Sequence, residues 1–401
     1  MQSVNALHWL FVTPFYKPAY VYGGPIYSIS TLCETLVELG SQVTVFTTNA
    51  NGRNNLTLPP TLAQNVQGVQ VYYFRRDLPG SYFYSKQLTL ACCKLIRSSV
   101  FDILYLASNW AYPFIPACWA SLLAKVPYIV SPRASFKKNT WRGKYLKKIS
   151  YHLLVERFLI QKASLIHYTT IQEANSSSWL HLTNPKVIIP NPINFEVFDT
   201  LPLKGCFRKK FNVPAHQRII LILGRIDPEK GLELALQSLK KVVEQIPDVL
   251  LVIAGPEEDN YLCRLQKWAE DLEITNHLLF TGLLDASERL ESLVDADLLF
   301  SPSRSENFGM SIVEGMACGL PVVVTDQVGV ADLISREKAG LVVPLDTATM
   351  AEGLIRLLKD PSLCREYSWK AARVVRERFS AQDIALTYLQ IFGTYVNHQN
   401  V

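Results

Sequence analysis

The sequence lacks several features that would assign it to other classes of protein. No apolar stretch reaches the ~18 uninterrupted residues of a transmembrane helix, and no basic cluster precedes the first apolar run, Leu7–Val12. A signal peptide is therefore not predicted, and we expect a cytoplasmic protein. The eight cysteines show no paired metal-type spacing, so Cys92 and Cys93, in an apolar run, are predicted to be reduced, buried packing residues. No predicted strand precedes Gly-x-Gly-x-x-Gly, which argues against a dinucleotide oxidoreductase.

Acidic residues are scarce in the first half of the chain. Residues 1–200 contain 18 Lys and Arg against 8 Asp and Glu, a balance of +10, whereas residues 201–401 contain 22 against 27, a balance of −5. A surplus of this size indicates an anionic partner such as a membrane surface or a phosphorylated acceptor. Nucleic acid is the rival partner, but the sequence contains no recognisable groove-reading module.

The stretch Ser301–Gly329 has polar and glycine positions that packing alone does not explain. It is predicted to contain a strand end, a loop with Glu306, a helix that begins near Gly309, and a strand at Pro321–Thr325. A helix N-terminus favours an anion, and a glycine lets a ligand approach the backbone. Glu306 and Glu314 would then face hydroxyl groups of a phosphorylated ligand. The alternative is a helix cap followed by a solvent-facing acid.

A second cluster of candidate residues follows the predicted strand Ile219–Leu223. Arg225 leaves the end of this strand and Lys230 stands at the start of the next predicted helix, so both cations can reach one phosphate-sized volume. This arrangement suits a diphosphate leaving group, whose growing charge such cations stabilise. The alternative is that both side chains are solvated on the surface.

These two clusters resemble the signature of the retaining, nucleotide-sugar-dependent glycosyltransferases of family 4. The family pattern is Glu, seven residues and Glu, with Phe-Gly after the first acid, and it is matched by Glu306, Phe308, Gly309 and Glu314. The resemblance implies that Glu306 contacts the donor sugar and that Glu314 contacts the ribose. The family also has a Gly-Arg pair followed by a Lys-Gly pair, and Gly224-Arg225 and Lys230-Gly231 match this spacing.

The resemblance also implies a position for two glycines. Gly23 and Gly24 match the glycine-rich loop that faces the donor diphosphate in this family, although a lone Gly-Gly pair is also typical of a flexible loop. Gly255, at the end of the predicted strand Leu250–Ala254, is assigned to the donor-binding residues with Phe308 and Gly309.

Family 4 enzymes have the GT-B fold, in which two Rossmann-like α/β domains face each other across a cleft. Strand and helix patterns alternate in both halves of the chain, as this fold requires. We predict an acceptor-side domain over residues 1–195, a donor-binding domain over 196–379, and a final helix, 380–401, that packs back on the first domain. Pro190 and Pro192 stiffen the linker.

The activity implied is transfer of a sugar from a UDP- or GDP-linked donor to an acceptor hydroxyl, in polysaccharide, lipopolysaccharide or glycolipid synthesis. No cofactor is expected, and no essential metal, because Arg225 and Lys230 take the place of one. We interpret Asp295 and Asp297 as helix-end and strand-entry residues. The alternative function is a non-catalytic nucleotide-sugar-binding subunit of a polysaccharide-assembly complex.

The acceptor side departs from the family at Arg133, where many members have a histidine near the reacting centre. A guanidinium cannot act as a general base, because its pKa stays above ~12. Arg133 is therefore assigned either to an anionic group of the acceptor or to the leaving phosphate. The aromatics at 110–113 either line an acceptor pocket or belong to the core.

Residues 137–148 form a basic segment with a helical apolar run after it. Its cations are Lys137, Lys138, Arg142, Lys144, Lys147 and Lys148. The segment is interpreted either as a peripheral contact with an anionic membrane or lipid-linked acceptor, or as a solvated helix face. Both interpretations remain open on the sequence alone.

Overall fold

The computed structural model describes residues 7–57, 63–78, 80, 82–95, 100–141, 145–257 and 260–397. The chain divides into two compact units. Unit 1 contains the described residues up to Pro192 together with those from Ala381 onwards, and unit 2 is Ile193–Ser380.

Unit 1 is built on a mainly parallel sheet. Its strands are β1 His8–Val12, β2 Gln42–Thr48, β3 Ala50–Asn51, β4 Asn54–Asn55, β5 Gln64–Val66, β6 Val69–Phe74, β7 Ile103–Ala107, β8 Tyr128–Ser131, β9 Leu165–Tyr168 and β10 Lys186–Ile188. The order in the sheet is β10-β9-β8-β7-β1-β2-β6-β5, and only β5 pairs antiparallel within it. β3 and β4 form a separate small ladder.

Helices cover both faces of this sheet. They are α1 Gly24–Glu38, α2 Lys86–Leu95, α3 Phe114–Ala124, α4 Tyr145–Tyr151, α5 Arg157–Gln161 and α6 Ile171–Ser176, with a π-helical segment, His152–Glu156, joining α4 to α5. One core cluster lies on each face. Buried strands of this kind have near-continuous apolar sequences, because side chains on both faces are covered.

Unit 2 repeats this architecture with a fully parallel sheet. Its elements, in order, are α7 Glu196–Asp199, α8 Cys206–Lys210, β11 Arg218–Leu223, α9 Leu232–Val243, β12 Val249–Ala254, α10 Tyr261–Asp271, β13 Leu278–Gly282, α11 Ala286–Asp295, β14 Leu298–Ser301, α12 Met310–Ala317, β15 Val322–Thr325, α13 Ala331–Glu337, β16 Leu341–Val343, α14 Thr347–Lys359 and α15 Pro361–Arg378. The strand order is β13-β12-β11-β14-β15-β16. The order reverses between β11 and β14, and ligands of such sheets bind at the carboxyl ends of strands at that point.

The last helix, α16 Ala381–Asn397, belongs to unit 1. Its Tyr388 and Phe392 are buried with Trp9 of β1, and the rings of Trp9 and Phe392 lie 5.9 Å apart. Tyr388 also contacts His167, whose Nδ1 lies 2.7 Å from the Tyr105 hydroxyl. Burial lowers the pKa of His167 to about 3, so it is a neutral packing residue.

The cysteines are all free, and one of them differs from its predicted burial. Cys92 is buried, but its neighbour Cys93 is exposed. The two residues lie next to each other on α2, and successive helical positions point about 100° apart. An apolar run in a surface helix therefore leaves one of its members facing solvent.

We expect Phe392→Ala to lower the free energy of unfolding by about 3–5 kcal/mol, because it leaves a cavity between α16 and β1. Chemical denaturation measures the loss. The control is Leu386→Ala on the same helix, where the side chain is 37% exposed and we expect a loss of about 1 kcal/mol or less. Equal losses in the two variants would contradict the packing of α16 described here.

Candidate functional site

Two loops of unit 2 meet where the strand order reverses. The loop after β11 contains Gly231, and the loop after β14 contains Pro302. A Cβ atom at Gly231 would lie 2.2 Å from the Pro302 carbonyl oxygen, so only glycine permits this approach. The backbone N–H of Arg304 donates to the carbonyl of Glu229 at 2.9 Å and holds the loops together.

This contact brings Lys230 and Glu306 together. The Lys230 Nζ donates to Glu306 Oε2, and both side chains are about one-fifth exposed. Glu306 Oε1 accepts from the backbone N–H of Asn307 at 3.1 Å. The two residues come from separate sequence clusters, so the structure joins what the sequence presented as independent motifs.

The Glu306 loop is fixed by the segment that follows β15. The backbone N–H of Glu306 donates to the Gln327 carbonyl, and that of Gly329 donates to the Glu306 carbonyl, both at 3.1 Å. A Cβ at Gly329 would lie 1.9 Å from the Asn307 carbonyl oxygen. The Glu306 carboxylate is therefore held by backbone contacts as well as by its ion pair.

A small pocket with a mixed polar and apolar lining lies beside this pair. Its lining includes Lys230, Ser301, Ser303 and Ser311, and it lies at the carboxyl ends of β11 and β14. Ser311 is in the first turn of α12, where backbone N–H groups lack helical partners. Hydroxyls, an ammonium group and a helix N-terminus together suit an anionic ligand.

Phe308 and Gly309 shape the start of α12. Gly309 is its N-cap, in a left-handed conformation with φ of 102° that favours glycine. Phe308 is 3% exposed and packs edge-on against Phe379. The buried Phe308 side chain thus fixes the loop before α12 to the core of unit 2. It does not line the pocket.

Arg225 occupies the same loop as Lys230 but has a different environment. Its guanidinium forms an ion pair with Asp227 at 3.2 Å and is 42% exposed. Asp227 also caps the turn at Pro228–Lys230, because its side chain accepts from the backbone N–H of Glu229. The exposure of Arg225 leaves it accessible to a ligand.

Gly255 lies against this loop from the next strand. A Cβ at Gly255 would lie 1.9 Å from the Gly224 carbonyl oxygen. Gly224 itself is covered by the Lys230 side chain, whose Cε would lie 3.3 Å from an added Cβ there. The structure therefore gives Gly255 a role in packing the strand ends that carry Arg225 and Lys230.

Glu314 is buried in the second turn of α12 and has a partner that the sequence did not reveal. Arg289 of α11 donates to Glu314 Oε2. Burial raises the pKa of Glu314 above its ordinary value, and the attraction of Arg289 offsets this only in part. Arg289 gave no signal in the sequence because a cation in an amphipathic helix is common and its partner is 25 residues away.

Gly23, Gly24 and Arg133 lie in unit 1. Gly23 is the N-cap of α1, with φ of 69°, and an added Cβ would meet no atom within 4 Å. Arg133 follows β8 and donates to Ser28 Oγ at 2.9 Å and to Asn191 Oδ1 at 2.8 Å. Among the described residues, no carboxylate forms an ion pair with Arg133, and its Nε has no hydrogen-bond partner.

The basic segment 137–148 is not a continuous cationic surface in its described part. Lys137 is 7% exposed, and the Lys148 Nζ lies 4.3 Å from the Trp110 ring centroid. Lys138 is exposed. Arg142 and Lys144 lie outside the described residues. Trp110 and Tyr112 lie near the carboxyl end of β7, and Tyr112 packs against Tyr84.

Asp295 and Asp297 bond the neighbouring backbone. Asp295 accepts from the backbone N–H of Arg208 at 2.9 Å, and Asp297 accepts from that of Ile219 at 2.8 Å. The described ranges contain no group of three or more His, Cys, Asp or Glu suited to a metal ion. They also contain no helix both long and apolar enough to cross a bilayer.

Comparisons with known proteins agree with this architecture. A model described as "Glycosyl transferase 4-like domain" matches residues 23–192, and one described as "Glycosyl transferases group 1" matches residues 205–374. A phosphatidyl-myo-inositol mannosyltransferase of Mycolicibacterium smegmatis is 33% identical over 217 residues. This match covers 53% of the chain and about half, 52%, of that relative.

Solved structures show the same fold. The sucrose-phosphate synthase of Thermosynechococcus elongatus has a TM-score of 0.77 at 19% identity, covering 98% of this chain and all of that one. An Anabaena protein solved with UDP-glucose has a TM-score of 0.76 at 17% identity, covering 97% and 100%. Two parallel α/β units with these likenesses have the GT-B fold.

The chain belongs to the family-4 type of these glycosyltransferases, because both family models match and its relatives are glycosyltransferases. The family predicted from Glu306, Phe308, Gly309 and Glu314 is confirmed, and so is the GT-B fold. The role of each site residue stays a prediction.

We expect Arg289→Leu to lower the free energy of unfolding by about 1–3 kcal/mol near neutral pH, because it leaves Glu314 buried without its cation. A carboxyl group whose folded-state pKa is raised contributes stability below its unfolded pKa and loses it as the pH rises through the folded value. The loss should therefore be larger near pH 8 than near pH 5, as measured by chemical denaturation at both.

The control for this prediction is Glu314→Gln, which has no carboxyl group to ionise. In that background, Arg289→Leu should cost less and its cost should not depend on pH. A loss that is equal at both pH values in the otherwise unchanged protein would contradict the ion pair.

Proposed function

We propose that the protein is a retaining glycosyltransferase that moves a hexose-like sugar from a nucleotide diphosphate sugar to an acceptor hydroxyl. The observation that carries this proposal is the contact between Lys230 and Glu306 beside a small pocket, at the strand ends where α/β sheets bind ligands. A cation for a diphosphate and a carboxylate for sugar hydroxyls are then adjacent.

The donor is held by residues of unit 2. Glu314 accepts from the ribose hydroxyls and Glu306 from the sugar, while Arg225 and Lys230 bind the diphosphate. Lys230 keeps its contact with Glu306 when phosphate binds, because an ammonium group has three donors. These cations stabilise the charge that grows on the leaving diphosphate, so no essential metal is required.

Retention follows from attack on the same face of the sugar that the diphosphate leaves. The acceptor hydroxyl forms the new bond to the anomeric carbon as the bond to the diphosphate breaks, and a departing phosphate oxygen takes the hydroxyl proton. Glu306 is less suited to be a covalent nucleophile, because its two oxygens already accept from Lys230 and from the Asn307 backbone.

The acceptor is assigned to unit 1. Arg133 is a half-buried cation without a carboxylate partner among the described residues, which suits a contact with an anionic group of the acceptor or with the leaving phosphate. Gly23 lies at an open helix N-terminus that suits the donor diphosphate. Acceptors of this chemistry occur in polysaccharide, lipopolysaccharide and glycolipid synthesis.

The donor nucleotide is proposed to be UDP- or GDP-linked. Support for uridine comes from the Anabaena neighbour, which was solved with UDP-glucose, and support for a lipid-linked acceptor comes from the mycobacterial phosphatidyl-myo-inositol mannosyltransferase. We also propose a peripheral contact with the cytoplasmic face of an anionic membrane. Residues 137–148 are one candidate surface for this contact.

We expect Lys230→Ala and Arg225→Ala each to lower kcat by about ten- to hundredfold with a smaller change in donor affinity, because the lost bonds strengthen as the leaving charge grows. Steady-state kinetics with donor titration and calorimetry measure the two effects. Lys210→Ala is the matched control, since Lys210 is a half-exposed lysine of unit 2 that pairs with Glu288. Weaker donor binding at unchanged kcat would contradict the leaving-group role.

The rival function is a non-catalytic nucleotide-sugar-binding subunit. The reason to consider it is that Arg133 stands where many family members have a histidine. A panel of UDP- and GDP-sugars, scored by thermal shift, identifies the donor, since ligand binding stabilises the native state. Slow hydrolysis of the stabilising donor, lost in Lys230→Ala, supports the enzyme. Binding without any turnover supports the subunit.

A further inference from the structure

An exposed apolar surface lies on two neighbouring helical segments of unit 1. It consists of Trp119 and Leu123 on α3 and of Leu154 and Phe158 on the segment that runs from the π-helical turn into α5. These four side chains are 48%, 62%, 81% and 47% exposed, respectively. We refer to them as the apolar face.

The four residues form one surface. Trp119 and Leu123 are four positions apart, as are Leu154 and Phe158, so each pair lies on one side of its helical segment. The rings of Trp119 and Phe158 are 5.9 Å apart and join the two segments. Exposed large apolar residues scattered singly need no explanation, but a joined set of this kind is typical of an interaction surface.

The stretch of chain that carries the apolar face is rich in cations, and its acids are buried. Residues 103–195 include eleven Lys and Arg but only two acids, Glu156 and Glu173, and both acids are 0% exposed. Exposed cations stand next to the face: Lys125 follows α3, Arg157 precedes Phe158, and the Lys162 Nζ lies 5.9 Å from the Phe158 ring centroid. The partner must therefore be negatively charged and accept apolar side chains.

We infer that the apolar face docks on the surface of an anionic lipid bilayer, with its aromatic and leucine side chains in the headgroup region and its lysines and arginines on lipid phosphates. Aromatic and aliphatic side chains beside cations are the composition of interfacial membrane contacts. A second copy of the chain is a poorer partner, because two cation-rimmed faces repel each other. Single-stranded nucleic acid is also poorer, because only Trp119 and Phe158 could stack on bases, whereas the two most exposed side chains of the face, Leu123 and Leu154, could not.

This inference differs from the membrane contact predicted for residues 137–148. In that segment Lys137 is buried and Lys148 covers Trp110, so its described cations are partly occupied within unit 1. The inference is independent of catalysis and stands or falls without the proposed transferase activity.

Flotation of the full chain with vesicles tests the inference. We expect binding to vesicles of equimolar phosphatidylcholine and phosphatidylglycerol, weaker binding in high salt, and little binding to phosphatidylcholine alone. Leu123→Glu combined with Leu154→Glu should lower partitioning to the anionic vesicles at least ~tenfold, because both a buried apolar contact and the favourable charge are lost.

The matched control is Leu203→Glu, at an 82% exposed leucine of unit 2, which should bind vesicles like the unchanged protein. Both variants change only exposed side chains, and circular dichroism with thermal melting verifies that they fold. Trp119→Phe should in addition remove a vesicle-induced blue shift of tryptophan emission.

Three results would overturn the inference. These are equal vesicle binding by the double variant and the unchanged protein, equal binding to neutral and anionic vesicles, and a dimer in light scattering that the double variant converts to monomer. Retained donor hydrolysis by a double variant that no longer binds vesicles would separate membrane docking from the proposed catalysis.

Discussion

The ion pair between Lys230 and Glu306 depends on a backbone approach that side chains would prevent. The loops after β11 and β14 come close enough because Gly231 faces the Pro302 carbonyl, and Gly329 likewise lets the segment after β15 press on Asn307. Parallel strand order supplies the rest, since it brings two loops distant in sequence to one edge of the sheet. The candidate donor site thus depends on the strand order and on glycine at positions 231 and 329.

Each acid of the family motif has its own cation in the structure. Glu306 contacts Lys230 and is partly exposed, whereas Glu314 contacts Arg289 and is buried. A buried carboxylate without a partner would be costly and would tend to protonate, so Arg289 keeps Glu314 available as an acceptor of hydrogen bonds. The charged form of Glu306 depends less on its cation, because solvent also reaches this carboxylate. The two acids therefore differ in environment although the sequence motif presents them alike.

The two units divide the charges of the chain in a way that fits different partners. Unit 2 has its candidate cations, Arg225 and Lys230, in the loop after β11, which is the site proposed for the donor diphosphate. Unit 1 spreads its cations over a surface whose only acids between residues 103 and 195 are buried. The proposals of a nucleotide sugar for unit 2 and a lipid surface for unit 1 rest on this difference in how the cations are placed.

The sequence by itself determined the family, the two-fold α/β repeat and the identity of the motif residues, because apolar periodicity and the spacing of Glu306 and Glu314 are local properties of the chain. Only the tertiary structure decided the partners of these residues. The contacts of Arg289 with Glu314 and of Phe158 with Trp119 join positions 25 or more residues apart, and Phe308 proved to be a core anchor. Local sequence patterns do not predict such pairs, because several helices are equally amphipathic. Which helices pack together, and which of their faces stay exposed, depends on long-range packing.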